Sequence, residues 1–384
     1  MTLRWKEQFL RISISSNELS VAHVEGSRLH RIAVVADFLE EKWPSMDLAA
    51  EQLATHLSLR GDVESRLIRP PLRWARNARA ASAAERAIGR FVQLPIELAP
   101  TRLKADFFHI ADHSYGHLAL LFPARRVGVY CHDIDAYRAL LPGSDAPRSR
   151  VLLSRLLLAG LRHARVVFHS TASVREEILR YGLVPASRLV QAPLGIAAEF
   201  LTPMLAPSVA RSQYLLHVGS CTPRKNVELL LRVFAGVRQR FQQLELVQIG
   251  GSWTESQRSY IEQQKLTPFI QQKRGISREE LAGVYSNAMA VVVPSLAEGF
   301  GIPVIEALAC GAPVVASDLP VLREVGFEGV RFCSLTDVNE WTRALEELCA
   351  TGARPSAEIR ARICARYTWQ MQAQIIGDAY LGGA

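Results

Sequence analysis

Two glutamates eight positions apart are the residues best placed to bind a polar ligand. Glu298 and Glu306 follow the apolar run 290–293 and are separated by two glycines and a proline. Glycine lets the backbone approach a ligand, and Pro303 suits the first turn of a helix. Because a helix N-terminus presents unpaired N–H groups, a phosphate is expected near Ile302, with the two carboxylates on hydroxyl groups beside it. Taken singly, each acid is equally well explained as a solvated loop or early-helix carboxylate.

A second candidate site follows a predicted strand that ends at Gly219. The loop after this strand carries Arg224 and Lys225 and opens a predicted helix over 227–237. Open α/β sheets bind ligands at the carboxyl ends of their strands, so these cations are placed to hold a diphosphate, arginine as a planar fork and lysine as a point charge. An isolated pair of this kind is more often a solvated turn.

Together these segments resemble the donor site of retaining nucleotide-sugar glycosyltransferases with the two-domain GT-B fold. This is the group 1 family, which includes sucrose-phosphate synthases and bacterial mannosyl- and glucosyltransferases. The segments 311–318 and 322–324 are similar to the same family. The resemblance implies an α/β fold with two Rossmann-like domains facing across a cleft, parallel sheets, and a C-terminal helix that crosses back to the first domain. It is strong from about Gly195 onward and looser before that residue.

The resemblance implies a role for each residue that matches a family motif. Arg224 and Lys225 would neutralise the donor diphosphate, Glu298 would orient the sugar, and Glu306 would hold the ribose. The remaining donor-binding residues that the resemblance implies are Gly219, Arg274, Ile276, Gly299, Phe300, Gly301 and Ile302. Members of the family hold the nucleotide base through backbone groups around positions like 274–276, so the base is not readable from side chains.

The first half of the chain carries fainter chemistry. Residues 126–131 predict a strand that delivers His132 and Asp133 to its carboxyl edge, where ligand sites are favoured. The resemblance implies that His132 faces the transferred sugar and acts with Glu298 as a catalytic residue; a histidine satisfied inside the fold is the alternative. Asp112 and His113 follow another predicted strand and are weaker acceptor-side candidates, with ordinary loop residues as the simpler interpretation.

The chain departs from the family after the strand predicted at residues 31–36. Many relatives carry a glycine-rich loop there, whereas this chain has the segment 37–47, rich in acidic and aromatic residues. Ser45 is expected to cap the following helix, and Trp43 offers either an aromatic platform to a sugar or ordinary packing area. Both are weak acceptor-side candidates, and the departure leaves the acceptor open.

No metal and no bound cofactor is expected, because the nucleotide sugar is a co-substrate. Asp133 and Asp135 have the Asp-x-Asp spacing with which another glycosyltransferase architecture holds a divalent cation. The pair follows a histidine in the half opposite the donor motifs, so this spacing is interpreted as fortuitous. The histidines and cysteines show no metal-ligand spacing either.

The length of 384 residues suits two domains. The first is predicted over residues 1–200 on the acceptor side and the second over 201–365 on the donor side, with 366–384 as the returning helix. Residues 202–208 have linker composition. The six scattered cysteines and the lack of a long apolar stretch indicate a cytoplasmic protein, and peripheral contact with a membrane is a further expectation.

That expectation rests on the charge of the first domain. Residues 1–200 hold 27 Lys and Arg against 20 Asp and Glu, which is most of the net charge of +8. A basic, partly apolar surface attracts anionic lipid headgroups, although a solvated face explains the pattern equally well. The arginines concerned are Arg66, Arg69, Arg73, Arg76, Arg79, Arg86 and Arg90.

The predicted function is transfer of a hexose from a nucleotide diphosphate sugar to an acceptor hydroxyl with retention of configuration. The expected setting is synthesis of cell-surface polysaccharide or glycolipid, with a sugar or lipid-linked acceptor and no nucleic acid partner. Two alternatives stay open. One is a sugar-nucleotide epimerase of the same fold, and the other is a non-catalytic nucleotide-sugar-binding protein.

Overall fold

The chain forms two parallel sheets of six strands each within the residues described by the computed structural model, which are 29–74, 81–201 and 213–382. The first sheet contains β1 His30–Val35, β2 Val63–Ile68, β3 Phe107–Ile110, β4 Val127–Cys131, β5 Val166–His169 and β6 Leu189–Gln191. The second contains β7 Tyr214–Gly219, β8 Glu245–Gly250, β9 Ile270–Lys273, β10 Ala290–Val293, β11 Val314–Ser317 and β12 Val330–Cys333.

Both sheets reverse their strand order near the centre. The first runs β2-β1-β3-β4-β5-β6 and the second β12-β11-β10-β7-β8-β9. The chain therefore turns back between β1 and β3 in the first sheet and between β7 and β10 in the second. Crevices at such reversal points, outside the carboxyl ends of the strands, are where open α/β sheets bind ligands.

The longer helices cover the faces of the two sheets, and strands buried on both faces follow from this layering. Every residue of β4, β5, β10 and β11 is buried. The α-helices are α1 Pro44–Ser58, α2 Ala83–Ile88, α3 Leu94–Leu98, α4 Arg148–His163, α5 Ala172–Arg180, α6 Ala198–Leu201, α7 Val227–Arg240, α8 Glu255–Gln263, α9 Arg278–Asn287, α10 Ile302–Ala309, α11 Pro320–Gly326, α12 Val338–Thr351, α13 Ala357–Arg366 and α14 Trp369–Leu381.

Helix termini confirm one sequence prediction and correct another. Helix α10 begins at Ile302 after Gly301, whose φ of 98° favours glycine, and Pro303 lies in its first turn as predicted. Ser45 does not cap α1. Trp43 occupies the N-cap position and Pro44 the first helical position, because the fixed φ of proline suits that place. Ser45 is therefore an exposed residue inside the first turn.

Helix α14 crosses back to the first domain, as the resemblance implied. The Tyr380 hydroxyl lies 3.1 Å from Nδ1 of His109 on β3, and the Arg60 guanidinium lies 2.9 Å from Asp378. Where the helix begins, a Cβ on Gly195 would come within 2.3 Å of the Trp369 nitrogen, so this close crossing requires glycine. The predicted α/β fold with two Rossmann-like domains and a returning helix is confirmed.

The predicted domain boundary falls partly outside the described residues, which do not include the linker 202–208. Strands of the first sheet occupy residues 30–191 and those of the second 214–333. In the described part of the chain, no helix combines the length and apolarity that crossing a bilayer requires.

Candidate functional site

Lys225 and Glu298 form an ion pair at the reversal point of the second sheet. Lys225 lies in the loop after β7 and Glu298 in the loop after the neighbouring β10. The Lys225 ammonium is 2.5 Å from Glu298 Oε1, and the Ser295 hydroxyl donates to the same oxygen at 2.6 Å. Two motifs that are distant in sequence thus meet at one point, as the site predicted from them requires.

The carboxylate of Glu298 is held in its charged form. Its side chain is only 6% exposed and that of Lys225 is 12% exposed. Burial alone would raise the pKa of Glu298, but the Lys225 ammonium and the Ser295 hydroxyl hold it below its ordinary value. A charged, preorganised pair is therefore present before any ligand arrives.

Positive charge surrounds the entrance to this pair. The Arg224 side chain is 40% exposed, and its guanidinium lies 3.9 Å from Asp133 Oδ2 in the first domain. Helix α10 begins close by in sequence, at Ile302, and the unpaired N–H groups of its first turn point out of its N-terminal end. Arg224, Lys225 and this helix terminus together make a surface that suits a diphosphate.

The other donor-side candidates differ in how much of their side chains a ligand can reach. Phe300 turns inward, 5% exposed, with its ring 5.5 Å from that of Tyr367, so only its backbone is available to a ligand. Arg274 is exposed and hydrogen-bonded to Gln272 at 3.0 Å. Ile276 is half-buried.

Gly219 ends β7, and its carbonyl accepts the Gln248 side-chain amide at 2.9 Å. At the equivalent end of β8, Gly250 has a φ of 124°, and a Cβ there would come within 2.5 Å of the Gly219 oxygen. Glycine is thus required where these two strand ends meet, next to the predicted diphosphate site.

Glu306 lies in a different environment from Glu298. It is 6% exposed, and the Tyr285 hydroxyl donates to its Oε2 at 3.0 Å. Burial raises the pKa of Glu306 to about 8, against a smaller opposing effect of Tyr285. At neutral pH this carboxyl is therefore mostly protonated and can both donate and accept, which suits a ribose hydroxyl.

The two domains touch directly above this site. A Cβ on Gly299 would come within 2.3 Å of the His132 carbonyl oxygen, and the Ser170 hydroxyl donates to the Gly299 carbonyl at 2.9 Å. The Glu324 carboxylate accepts the Ala172 N–H at 2.8 Å, at the start of α5. The cleft is therefore closed down to contact between the donor loop and the carboxyl edge of the first sheet.

His132 carries a neutral imidazole at the carboxyl edge of the first sheet. Its Nε2 lies 2.9 Å from the Ala111 carbonyl oxygen, which can only accept, so the ring proton is on Nε2 and Nδ1 remains an acceptor. Burial lowers the pKa of His132, against an opposing effect of Asp112. This histidine therefore stays uncharged at neutral pH.

Asp112 and His113, for which ordinary loop residues are the simpler interpretation from sequence, are both buried in the structure. Each is 5% exposed, and the His132 N–H donates to His113 Nδ1 at 3.3 Å. The other ring nitrogen of His113 lies 3.4 Å from Asp133 Oδ1. These groups form one buried cluster because β3 and β4 are neighbours and their carboxyl ends meet at one edge.

Asp133 and Asp135 point to different partners. Burial alone would raise the pKa of Asp133, but the hydrogen bond from His113 holds it well below its ordinary value. Asp135 instead pairs with Arg138, on the same short helical turn. Across the described residues, no group of three or more His, Cys, Asp and Glu is arranged to hold a metal ion.

The predicted basic face of the first domain is not a single surface. Arg69 and Arg90 are 9% and 14% exposed and pair with Glu51 at 2.7 Å and Glu41 at 2.9 Å. The Arg90 guanidinium also lies 5.7 Å from the Trp43 ring centroid, and Trp43 packs on the first-domain core. Arg66 and Arg73 are exposed, whereas the predictions at Arg76 and Arg79 lie outside the described residues.

Sequence reasoning missed three polar residues at the cleft. Ser295 and Ser170 each follow a buried strand end, and their hydroxyls bond Glu298 and Gly299. Asp37 follows β1 at the reversal point of the first sheet and is 2% exposed. Its signal in the sequence was the acidic segment that replaces a glycine-rich loop, at the carboxyl end of a predicted strand.

Comparison with known proteins finds a matching family and several relatives of this chain. Residues 207–362 match the family described as "Glycosyl transferases group 1". Over 206 residues the chain is 28% identical to O-antigen chain mannosyltransferase B of Escherichia coli, covering 50% of this chain and 53% of that protein. Over 171 residues it is 30% identical to O-antigen chain mannosyltransferase RfbU of Salmonella typhimurium, covering 44% and 47%. The chain spans about half the length of these curated relatives.

Solved structures share the fold over nearly the whole chain. Sucrose-phosphate synthase from Thermosynechococcus elongatus superimposes with a TM-score of 0.74 at 20% identity, covering 92% of this chain and 98% of that chain. WaaG, a glycosyltransferase involved in lipopolysaccharide biosynthesis, does so with a TM-score of 0.65 at 13% identity, covering 92% and 100%. Residues 207–362 thus resemble the group 1 glycosyltransferases, and the two facing Rossmann-like domains have the fold of the solved sucrose-phosphate synthase.

Proposed function

We propose that this protein transfers a hexose from a nucleotide diphosphate sugar to an acceptor hydroxyl, with retention of anomeric configuration. The observation that carries the proposal is the buried Lys225–Glu298 pair at the reversal point of the second sheet, next to Gly299, whose backbone meets that of His132 across the closed cleft. The relatives named as O-antigen chain mannosyltransferases support a role in cell-surface polysaccharide or glycolipid synthesis.

Each charged group has a part in the proposed reaction. The bond from the anomeric carbon to the diphosphate breaks, a bond to the acceptor oxygen forms on the same face, and the acceptor proton passes to a diphosphate oxygen. Lys225, Arg224 and the N-terminus of α10 stabilise the departing negative charge. Glu298 and the neutral His132 orient the sugar from opposite sides of the cleft. The close contact of Gly299 with His132 excludes water, which would otherwise hydrolyse the donor.

Metal independence is part of the proposal, because two cationic side chains and a helix terminus supply the positive charge that a divalent cation would bring. The decisive experiment incubates uridine, guanosine and adenosine diphosphate hexoses with a panel of hexosides, with and without EDTA, and follows the products by NMR. Transfer with the donor's anomeric configuration, unchanged by EDTA, is expected. Epimerised donor without acceptor would favour the epimerase alternative, and bound but unconverted donor would favour a binding protein.

Peripheral contact with an anionic membrane is proposed for helix α4 rather than for the arginines of residues 60–90. This helix contains four arginines and no acidic residue. Leu152 and Leu156 on it are 68% and 40% exposed, and Arg148, Arg150 and Arg155 of the same helix are exposed as well. Exposed leucines flanked by arginines suit insertion among lipid headgroups with charge attraction at the rim.

A further inference from the structure

Asp37 occupies the position in the first sheet that Lys225 and Glu298 occupy in the second. The Ala36 N–H bonds the Ile68 carbonyl of β2 at 3.0 Å, and the Ala111 N–H beyond β3 bonds the Val35 carbonyl of β1 at 2.9 Å. Asp37 therefore leaves the sheet at the carboxyl edge, where the strand order reverses. Such a crevice is the favoured ligand position of an open α/β sheet.

The carboxyl of Asp37 has no partner among the described residues. The residue is 2% exposed, and neither carboxyl oxygen makes a hydrogen bond. Burial raises the pKa of Asp37 to about 7, and the Asp112 and Asp47 carboxylates add to the increase. A buried polar group without a hydrogen bond costs free energy, so its presence in a ligand crevice indicates a group that a ligand completes.

Two arginines near this edge, in the part of the chain that the structure describes, are already paired with carboxylates. Arg69 lies 3.2 Å from Asp47 and 2.7 Å from Glu51. Arg90 lies 2.9 Å from Glu41. Since these described cations are already paired with carboxylates, this edge offers the hydrogen-bonding oxygens of Asp37 to a ligand, and neither arginine is free to bind an anionic group.

We infer that Asp37 binds hydroxyl groups of the acceptor, and that the part of the acceptor it holds is an uncharged sugar rather than a sugar phosphate. The inference rests on the proposed glycosyl transfer. Strand β3 separates β1 from β4, so Asp37 and His132 lie roughly 10 Å apart across two strand spacings. An acceptor ring held at Asp37 directs its reactive hydroxyl toward His132 and the donor. A carboxylate has two oxygens and about four lone pairs, enough for two neighbouring hydroxyls.

The test compares the unsubstituted protein with Asp37→Asn, and with Asp145→Asn as a control at an exposed position. Acceptor KM, donor KM, acceptor-free donor hydrolysis and Tm are measured for each. Asp37→Asn is expected to raise the acceptor KM at least tenfold and to leave donor KM and donor hydrolysis unchanged. Its Tm is expected to stay the same or to rise, because an unpartnered buried acid is removed. If Asp37 has a structural role, the substitution should instead lower Tm and change the KM values of both substrates together.

The acceptor class is tested with uncharged hexosides paired with the 6-phosphates of the same sugars. The unsubstituted protein is expected to use the uncharged member at least tenfold better. Preference for the phosphates, or an unchanged acceptor KM in Asp37→Asn, would overturn the inference while transfer itself stands. If the unsubstituted protein releases no nucleoside diphosphate from any donor, the proposed function fails and the inference fails with it.

Discussion

The reversal points of the two sheets have a similar arrangement of strands, but the pKa of the buried acid shifts in opposite directions at the two points. In the second sheet, Glu298 lies beside the Lys225 ammonium and its pKa falls below the ordinary value. In the first sheet, Asp37 is also buried, but none of the described cations bonds its carboxyl and the opposing effect of Arg69 is small, so its pKa rises to about 7. Burial acts in the same direction on both acids, so the difference comes from the partner.

This difference indicates what each half is prepared to bind. The donor half carries fixed charges that are arranged before the diphosphate arrives, which lowers the reorganisation needed during the reaction. The acceptor half carries a buried acid without a hydrogen-bond partner, which destabilises the free protein. In the inferred complex, hydroxyl groups of the acceptor supply the missing hydrogen bonds. Four predictions test the comparison, from the largest expected effect to the smallest.

Breaking the donor pair should have the largest effect. Lys225→Ala leaves Glu298 buried without its cation, which costs about 3–5 kcal/mol of unfolding free energy, and removes a charge from the departing diphosphate. Transfer should fall by about 10³-fold or more in a steady-state assay. The exposed pair of Arg258 and Glu255 is the control, since Arg258→Ala should change stability by less than about 0.5 kcal/mol. Turnover near that of the unsubstituted protein would contradict the donor site.

Removing the acid of the acceptor half should have the opposite effect on stability. The pKa of Asp37 is raised from 3.8 to about 7, so the folded state binds its proton more tightly and stability is lost as pH rises from about 4 to about 7. The loss at higher pH is about 4 kcal/mol at most. The free energy of unfolding should be measured with urea from pH 4 to 8. It should decline less with pH for Asp37→Asn than for the unsubstituted protein, so that the variant is the more stable of the two above pH 7. If the unfolding free energies of the two proteins change with pH in parallel, the Asp37 carboxyl is not an unpartnered buried acid.

The contact between the halves is tested at Gly299. A Cβ there would meet the His132 carbonyl oxygen at 2.3 Å, and backbone gives way less easily than a side chain. Gly299→Ala should hold the cleft slightly open and lower kcat/KM about tenfold, a cost of about 1.4 kcal/mol, with unchanged circular dichroism. Gly283→Ala is the matched control, since nothing lies within 4 Å of its Cβ and it sits inside α9. Equal kinetics for both variants would show that closure to this contact is not needed.

The smallest effect concerns the outer surface of the acceptor half. Arg148→Gln, Arg150→Gln and Arg155→Gln together should weaken sedimentation with anionic liposomes by about 1 kcal/mol per residue. Raising salt past the screening range should release the unsubstituted protein. Arg232→Gln, Arg240→Gln and Arg343→Gln, at exposed positions of the second domain, make the control. If the two triple variants bind the liposomes equally well, the proposed membrane contact through α4 is contradicted.

Much of the donor half was readable from the sequence because its signals are local. Gly301, Ile302 and Pro303 predict the start of α10 from the conformations that glycine and proline adopt, and the structure has that start. The apolar runs before Gly219 and Glu298 predict strands, and parallel strands bring their carboxyl ends to one edge. The meeting of Lys225 with Glu298 then follows from topology that the resemblance implied.

The acceptor half was less readable because its chemistry depends on pairing between distant residues. Arg69 and Arg90 look like surface cations in sequence, and only folding sets them against Glu51 and Glu41. Ser45 is predicted to cap the helix, yet Trp43 is the N-cap and the helix begins at Pro44, two residues earlier than a Ser45 cap implies. From sequence, His113 is most simply an ordinary loop residue, yet neighbouring strands place it in a buried position between His132 and Asp133.

The sequence by itself determined the two-domain α/β class, the order of strands and helices, and the motifs of the donor site, because these depend on spacing and residue type over short stretches. The tertiary structure alone decided which charges are paired. Glu298 and Asp37 are both acids that follow a strand, and the sequence does not distinguish their ionisation. The ammonium of Lys225, brought from 73 residues away, keeps one charged, while Asp37 has no such partner among the described residues and holds its proton to about pH 7.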